Sequence, residues 1–194
     1  MNLQPTTELE AVNELLKAVG EVPVDSLETI GFTDAAIARD QIRTTSRELQ
    51  TRGWYFNKDD DYAFTPGADG IVVLPQSVIS IRPARSESRR ITPRAGKLYN
   101  ADASTFVFSP DAPPVVNVTW LFPFEELPES ARRYITVHAA TVFQTSQLGS
   151  DQLFTFTREH EKAAADSLQR EEREYELAGN FFNDSNDVLE IWQR

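Results

Sequence analysis

The hydrophobic pattern of this chain changes period twice, and that change limits the possible folds more than any other feature. Residues 9–53 and 129–178 carry apolar residues at the three- and four-residue spacing of amphipathic helices. Residues 54–124 instead carry short runs of β-branched and aromatic residues between turn-forming residues. The pattern predicts an α+β fold, with a four-helix bundle formed by the N- and C-terminal helices and an antiparallel β-rich insertion between them.

The first helix has clear start and stop signals. Thr7 and Glu10 have the spacing of a capping box, and Gly20 stands where a left-handed residue often follows a helix. The apolar stripe between them consists of Leu9, Val12, Leu15, Leu16 and Val19. We expect Val22, Val24 and Leu27 to pack back on this helix.

Three further helices are predicted. The second begins at Thr33 and is charged over most of its surface. Its thin apolar stripe consists of Ala35, Ala38, Ile42, Thr45 and Leu49. The third begins at Pro128 and is apolar around much of its circumference, which is typical of a central helix. The fourth is long, begins at Ser150 and is expected to end at Ala178, before Gly179.

Six short runs in the middle of the chain predict strands. They cover residues 62–64, 71–74, 78–81, 97–99, 106–108 and 115–121. In the last run, Val116, Val118 and Trp120 share one face because side chains alternate along a strand. We therefore expect a small antiparallel sheet or sandwich.

The end of the chain carries more large apolar residues than a solvated tail usually does. They are Phe181, Phe182, Val188, Leu189, Ile191 and Trp192. Docking onto the chain's own helices and insertion into a neighbouring protein both explain this composition, and we favour the second. The predicted domains are a discontinuous helical domain (residues 1–53 and 125–179), a β-rich insertion (54–124) and a C-terminal interaction tail (180–194).

Composition and charge exclude several classes of function. The chain contains no cysteine, which removes disulfides, thiolate nucleophiles and cysteine-ligated zinc. Its formal net charge of −11 argues against DNA binding across the whole surface. No apolar run is long enough to span a membrane, and residues 1–10 lack the features of a signal peptide. We therefore expect synthesis in the cytosol and no membrane partner.

One segment, residues 82–97, reverses the acidic charge. It contains a single acidic residue, Glu87, and is called the basic segment below. Its cations are Arg82, Arg85, Arg89, Arg90, Arg94 and Lys97. The segment carries +5, so the rest of the chain carries −16. It is a candidate contact for an acidic partner or for phosphates. A solvated β-hairpin edge, kept from aggregating by its charge, is an equal alternative.

The common catalytic signatures are missing from the sequence. There is no nucleophile elbow, zinc-protease helix, phosphate-binding loop or dinucleotide fingerprint. His138 and His160 fall on predicted helix stripes and could face one another as a metal pair. Partly buried, hydrogen-bonded core histidines explain them better. We predict no metal and no cofactor.

Two groups of carboxylates have an alternative chemical reading. Residues 59–61 are three consecutive aspartates, but they lack the alternating spacing of a calcium loop and are expected to form a solvated turn. Glu125, Glu126 and Glu129 could include an acid/base pair for glycoside hydrolysis. Carboxylates are frequent in this chain, so such pairs also arise by chance.

Three blocks of the sequence resemble the tail tubular protein A family of short-tailed bacteriophages. The blocks are AVNELLKAVGEVPVDSL (residues 11–27), TDAAIARDQIRTTSRELQTRGWYFN (33–57) and ELPESARRYITVHAATVF (126–143). The likeness covers nearly the whole chain and is weakest in the β-rich middle. The first block followed by R-G-W-x-F-N is a fairly specific combination, and the order and spacing of all three blocks argue against coincidence.

The resemblance implies a head–tail adaptor of the virion. Family members form a ring, commonly a dodecamer, between the portal protein and the tail nozzle protein, and double-stranded DNA passes through the lumen. The resemblance also implies that the helical part and the C-terminal segment meet the portal, while the β-rich part lies toward the nozzle. We therefore assign the six apolar tail residues to portal or neighbour contacts and the basic segment to nozzle or phosphate contacts.

Three hypotheses follow for the function. The first is a non-enzymatic adaptor, assembled in the host cytoplasm and then present in the virion. The second is a carboxylate-dependent carbohydrate hydrolase associated with the phage tail. The third is a nucleic-acid-binding module that uses the basic segment, whose affinity would fall steeply with salt.

Overall fold

The structure is a computed structural model that describes residues 5–28, 34–148 and 154–190. Within these ranges the chain has four α-helices and two antiparallel sheets, so the predicted α+β class is confirmed. The helices are α1 (Glu8–Ala18), α2 (Asp34–Thr51), α3 (Glu129–Leu148) and α4 (Phe154–Glu190). A short 3-10 turn, Phe124–Glu126, precedes α3.

The chain divides into two compact units. The helical unit combines Met1–Glu48 with Pro123–Arg194, and the β unit is Leu49–Phe122. The assignment of separate roles to these regions, and of the tail as a third domain, stays a prediction. The strands of the β unit are β1 (Lys58–Ala63), β2 (Val78–Pro83), β3 (Ile91–Arg94), β4 (Lys97–Asn100) and β5 (Val115–Trp120).

Helix α1 begins and ends as its sequence predicts. The Thr7 hydroxyl accepts from the Glu10 backbone N–H, while the Glu10 carboxylate accepts from the Thr7 N–H. Gly20 follows the helix at φ +83°, a conformation that costs glycine little, and two backbone bonds return to the last turn. Val22 is 80% exposed, so the expectation that it packs on the helix is wrong. Asn13 instead holds this segment, because its side-chain amide bonds the backbone N–H and C=O of Val24.

The core of the helical unit lies along α3. Helix α1 packs on α3, and α3 packs on α4. Helix α2 is tied to α1 by two ion pairs, from Arg39 and Arg43 to the single carboxylate of Glu8. All five residues of the predicted α2 stripe are buried, which confirms the assigned face. The four-helix bundle itself stays a prediction.

Some expectations for α3 and α4 are wrong. Helical spacing in the sequence also predicts that Val142 and Tyr175 face the core, but they are 37% and 60% exposed. Helix α4 continues through Gly179 to Glu190, because one glycine inside a long helix costs only about 1 kcal/mol. The predicted caps Thr33 and Ser150 lie outside the described residues.

The β unit is built around strand β5. One sheet has the order β1-β5-β2, and the second is the β3-β4 hairpin. Val116 and Val118 of β5 are fully buried, and half-buried Trp120 packs against the same core, so the predicted shared face is confirmed. The cluster of buried residues between the sheets consists of Phe64, Val72, Ile91, Leu98, Phe108, Val116 and Val118.

The strand prediction is correct in four places and wrong in three. Residues 71–74 and 106–108 contribute isolated bridges to the sheets and are not regular strands. Strand β3 was missed because Pro93 and charged neighbours obscure its pattern. The three aspartates at 59–61 belong to β1 and do not form a turn. Pairing with β5 outweighs their weak strand propensity, and Asp61 is accommodated at a bulge with φ +54°.

Candidate interaction surfaces

The R-G-W-x-F-N run has a structural role at the base of the β unit. Asn57 is buried, and its amide donates to the carbonyls of Gln50 and Trp120. Its oxygen accepts from the Trp54 backbone N–H, and the Trp54 indole donates to the Leu49 carbonyl. These bonds join the segment that leads into the β unit to the end of β5, so the motif is needed for folding of this unit.

Arg89 of the basic segment is a structural residue. Its guanidinium forms a two-pronged pair with the nearly buried Glu87, at 2.7 Å from Nε to Oε1 and 2.6 Å from Nη2 to Oε2. It also donates to the carbonyls of Ala112 and Pro113, and Glu87 accepts from the Val115 backbone N–H. The hydrogen bonds from Arg89 lower the pKa of Glu87 to about 2. This pair therefore fastens the loop that leads into β5.

The other cations of the basic segment differ in their surroundings. Arg90 is paired with Asp102, so its charge is balanced at the surface. Arg94 lies over the ring of Tyr99, with 3.9 Å between the guanidinium carbon and the ring centroid. Within the described ranges, no carboxylate pairs with the side chains of Arg82, Arg85, Arg94 or Lys97. The sequence did not separate these four from the two paired arginines: Glu87 is only two residues from Arg89, but its pairing depends on the fold of the loop, and the partner of Arg90, Asp102, is twelve residues away.

The outer side of the β3-β4 sheet carries exposed apolar residues next to unpaired cations. Isolated bridges place Val73 beside Lys97 and Ile71 beside Val107. Val72 and Leu98 are buried, so their strand neighbours face outward; Val73 is 67% exposed and Val107 is 56% exposed. We call this surface the hairpin face. It consists of Ile71, Val73, Arg94, Lys97, Tyr99 and Val107.

Helix α4 continues well past Leu168. Leu168 is 1% exposed and is the last buried side chain that the structure describes in this helix. The helix then runs about six more turns to Glu190. Leu177 in this extension is 67% exposed. Phe181, Phe182, Val188 and Leu189 lie on the helical backbone, but their side chains, and all of Ile191 and Trp192, lie outside the described part. Their assignment to a partner stays a prediction.

The two histidines do not face one another as a metal pair. The His138 ring stacks on Tyr134, with 5.6 Å between centroids, and its Nδ1 lies 2.7 Å from a Glu161 carboxylate oxygen. His160 is exposed at the rim of a cleft of about 190 Å³ between α1, α3 and α4, so it is not a core histidine as expected. Across the described ranges, no group of three potential ligands is arranged to hold a metal ion.

Two of the three glutamates considered for glycoside hydrolysis, Glu125 and Glu129, take part in structural hydrogen bonds. The Glu129 carboxylate accepts from both the backbone N–H and the hydroxyl of Thr6. Glu125 offers its carbonyl to Arg132, which also bonds the carbonyl of Leu127. These contacts fasten the N-terminal segment and the turn before α3. The hydrolase hypothesis finds no support in this arrangement.

Formal charge is divided unequally between the two units. Eight of the 19 basic residues but only seven of the 30 acidic residues lie in Leu49–Phe122. The β unit therefore carries +1, whereas the rest of the chain carries −12. Each unit thus offers a surface of a different electrostatic character to other proteins.

Comparison with known proteins agrees with the resemblance in the three sequence blocks. A family model described as tail tubular protein matches residues 9–177. Tail tubular protein A of Klebsiella phage KP34 is 30% identical over 144 residues, which is 74% of this chain and 75% of that protein. In the described ranges, no helix has the length and apolarity to cross a membrane. The chain belongs to the tail tubular protein family and is a structural protein of a bacteriophage tail.

Proposed function

We propose that this protein is a ring-forming head–tail adaptor that connects the portal to the tail nozzle and surrounds the DNA exit channel. It acts as a structural component and not as an enzyme. Its copies assemble in the host cytoplasm and become part of the virion. Family membership supports the structural role.

The observation that carries this proposal is the stretch of α4 after Leu168, in which every side chain that the structure describes, at residues 169–178, is exposed or half-buried. In a helix, Leu177, Phe181 and Val188 fall in one row, and Phe182 and Leu189 fall in the adjoining row. A partner surface that covers these rows would gain the free energy of burying apolar groups. In the proposed assembly the portal supplies this surface, and Ile191 and Trp192 extend it.

The remaining helices have the properties of a rigid platform for this extension. We propose that α1, α2, α3 and α4 form a four-helix bundle, in which α3 is central because it packs on both α1 and α4. The pair between Arg133 and Glu14 adds a link between α3 and α1.

The charge distribution suits a ring through which DNA passes. A helical unit with a formal charge of −12 repels phosphates, so DNA slides through the lumen without being held. The β unit lies toward the nozzle in this proposal. The cations of the basic segment without a carboxylate partner then contact an acidic neighbour or phosphates.

The experiment combines the purified protein with its portal ring and measures co-sedimentation. The full chain should bind, whereas a chain ending at Ala178 should lose at least ten-fold in affinity. Leu177→Asp should weaken binding in the same direction. Val22→Asp is the matched control, since it places the same charge at another exposed apolar position and should bind normally. Docking of the truncated chain at full affinity would refute the role of the α4 extension.

A further inference from the structure

The hairpin face combines the β3-β4 hairpin with two isolated bridges, and its cations Arg94 and Lys97 flank the hairpin turn. Val107 lies close to Gly70, where an added Cβ would be only 2.6 Å from the Val107 Cγ1. Arg94 is held in position by the Tyr99 ring, which itself packs edge-on against Phe106 at 4.8 Å. The face therefore presents apolar groups and two cations in a defined arrangement. Such a preorganised surface loses little entropy on binding a partner.

The helical unit carries a surface that is complementary in charge and character. Along the outer side of α2, residues spaced by three or four positions are all exposed or half-buried. We call this row the acidic stripe. It consists of Asp34, Ile37, Asp40, Gln41, Thr44 and Glu48. Ile37 is 52% exposed and lies between two exposed aspartates, Asp34 and Asp40.

One cation, Arg47, lies at the edge of the acidic stripe, three residues after Thr44 and seven after Asp40. Arg39 and Arg43 leave α2 on another side, where both pair with Glu8. Counted with Arg47, the acidic stripe still carries three carboxylates against one cation. Its charge is therefore opposite to that of a face with two cations, and Ile37 adds an exposed apolar group among the carboxylates.

We infer that the hairpin face of one copy docks on the acidic stripe of a second copy. Val73 and Val107 then meet Ile37, while Arg94 and Lys97 lie opposite the carboxylates of Asp34, Asp40 and Glu48. An apolar centre with a charged rim is the usual composition of a specific protein interface. This inference rests on the proposed ring and names the partner of two cations in the basic segment, leaving Arg82 and Arg85 to other contacts.

The two surfaces are different patches of the same chain, so their contact is heterologous. Every copy then uses its hairpin face toward one neighbour and its acidic stripe toward the other. Repetition of such a contact generates a closed ring when the rotation between neighbours closes. Because opposite charges meet at the rim, we expect ring formation to weaken as salt concentration rises.

The absence of cysteine from the sequence allows a direct test by disulfide trapping. Val73→Cys and Ile37→Cys are made in separate chains of different mass, mixed in the presence of the portal ring and oxidised. We expect a disulfide-linked heterodimer between positions 37 and 73. Val22→Cys is the matched control, because Val22 is even more exposed; its yield with Val73→Cys should be at least ten-fold lower.

Reversing the charges of Lys97 and Asp40 provides a second test. It depends less on exact geometry than a disulfide does, because charges interact over longer distances. Lys97→Glu alone and Asp40→Lys alone should each reduce the fraction of rings in sedimentation velocity at least ten-fold. Both substitutions in one chain should restore the rings, since every interface then again joins opposite charges. Thermal unfolding of each variant checks that the fold is intact.

The outcomes separate this inference from the proposed function. The inference is wrong if rings form on the portal but no disulfide links positions 37 and 73 and the double charge reversal does not restore ring formation. That outcome would leave the proposed adaptor function unaffected. Trapping of position 73 by the nozzle protein overturns it in favour of that partner. If the unmodified chain does not self-associate, either alone or with the portal, both the proposed ring and the inference are refuted.

Discussion

Gln50 and Phe122 are joined by two hydrogen bonds that close the base of the β unit. The Gln50 side-chain nitrogen donates to the Phe122 carbonyl over 3.1 Å, and its oxygen accepts from the Phe122 N–H over 2.8 Å. The buried side chain thus pairs with the backbone as a neighbouring strand would. It holds together the two places where the chain enters and leaves this unit.

Gln50→Met should destabilise the protein by about 2 kcal/mol, because it keeps the side-chain size but leaves two backbone groups of half-buried Phe122 unsatisfied. Gln76→Met is the matched control at an exposed position and should change the unfolding free energy by less than about 0.5 kcal/mol. Urea denaturation gives both values. Equal stability of the two variants would refute the role of the Gln50 amide.

The Glu87–Arg89 pair predicts a specific acid sensitivity. Hydrogen bonds from Arg89 hold the folded-state pKa of Glu87 at about 2, below its ordinary value of 4.5. Its contribution is therefore fully present above pH 4.5 and is lost as the pH falls toward 2. A shift of this size corresponds to about 3 kcal/mol.

Glu87→Gln should lose that stability at neutral pH and show a flatter dependence of unfolding free energy between pH 4.5 and 2. Urea denaturation at several pH values measures the slope. Asp111→Asn, at an exposed position of the same unit, should keep the wild-type slope. A Glu87→Gln curve parallel to that of the wild type would contradict the assigned coupling.

Alanine substitutions at Gly70 and Gly96 distinguish the energetic cost of backbone strain from the cost of a steric clash. Gly70 has φ +74°, and an added Cβ would lie 2.6 Å from Val107 Cγ1 and 3.0 Å from the Phe108 carbonyl oxygen. Gly96 has φ +70°, but nothing lies within 4 Å of an added Cβ. Gly96→Ala should therefore cost about 1 kcal/mol from its left-handed conformation alone. Gly70→Ala should cost at least about 2 kcal/mol more in thermal or urea unfolding, since overpacking adds to the strain; equal costs would contradict this geometry.

Alanine substitutions at two leucines of α4 distinguish a role in core packing from a role in partner binding. Leu168→Ala should lower the unfolding free energy by about 3 kcal/mol, because Leu168 is fully buried. Leu177→Ala should change it by less than about 0.5 kcal/mol, because Leu177 is 67% exposed. Portal co-sedimentation should show the reverse order, with the larger loss for Leu177→Ala. Loss of stability in both variants would mean that the α4 extension packs within its own chain.

Sequence predicts the local features of this fold well. The Thr7–Glu10 cap, the turn at Gly20 and the buried stripe of α2 follow from short-range rules and are all found. Strand β5 was also correctly assigned, because the alternation of Val116 and Val118 with polar residues is regular.

Features that depend on distant partners could not be predicted. The tertiary fold brings Asp102 next to Arg90, where it neutralises the charge of the arginine. It also pairs the strand that contains the 59–61 aspartates with β5. The sequence did not predict that Gln50 and Asn57 are buried and hydrogen-bonded, apart from the place of Asn57 in the R-G-W-x-F-N run. Their hydrogen bonds to Phe122 and Trp120 connect positions more than 60 residues apart. The sequence likewise could not divide the basic segment into structural and exposed cations.

Electron microscopy of the purified protein mixed with its portal ring tests the central claim most directly. The adaptor account predicts a second ring of this protein, coaxial with the portal and with an open lumen. The complex should not form with the chain that ends at Ala178. Portal rings that remain bare at saturating concentrations of the full-length protein would contradict the account.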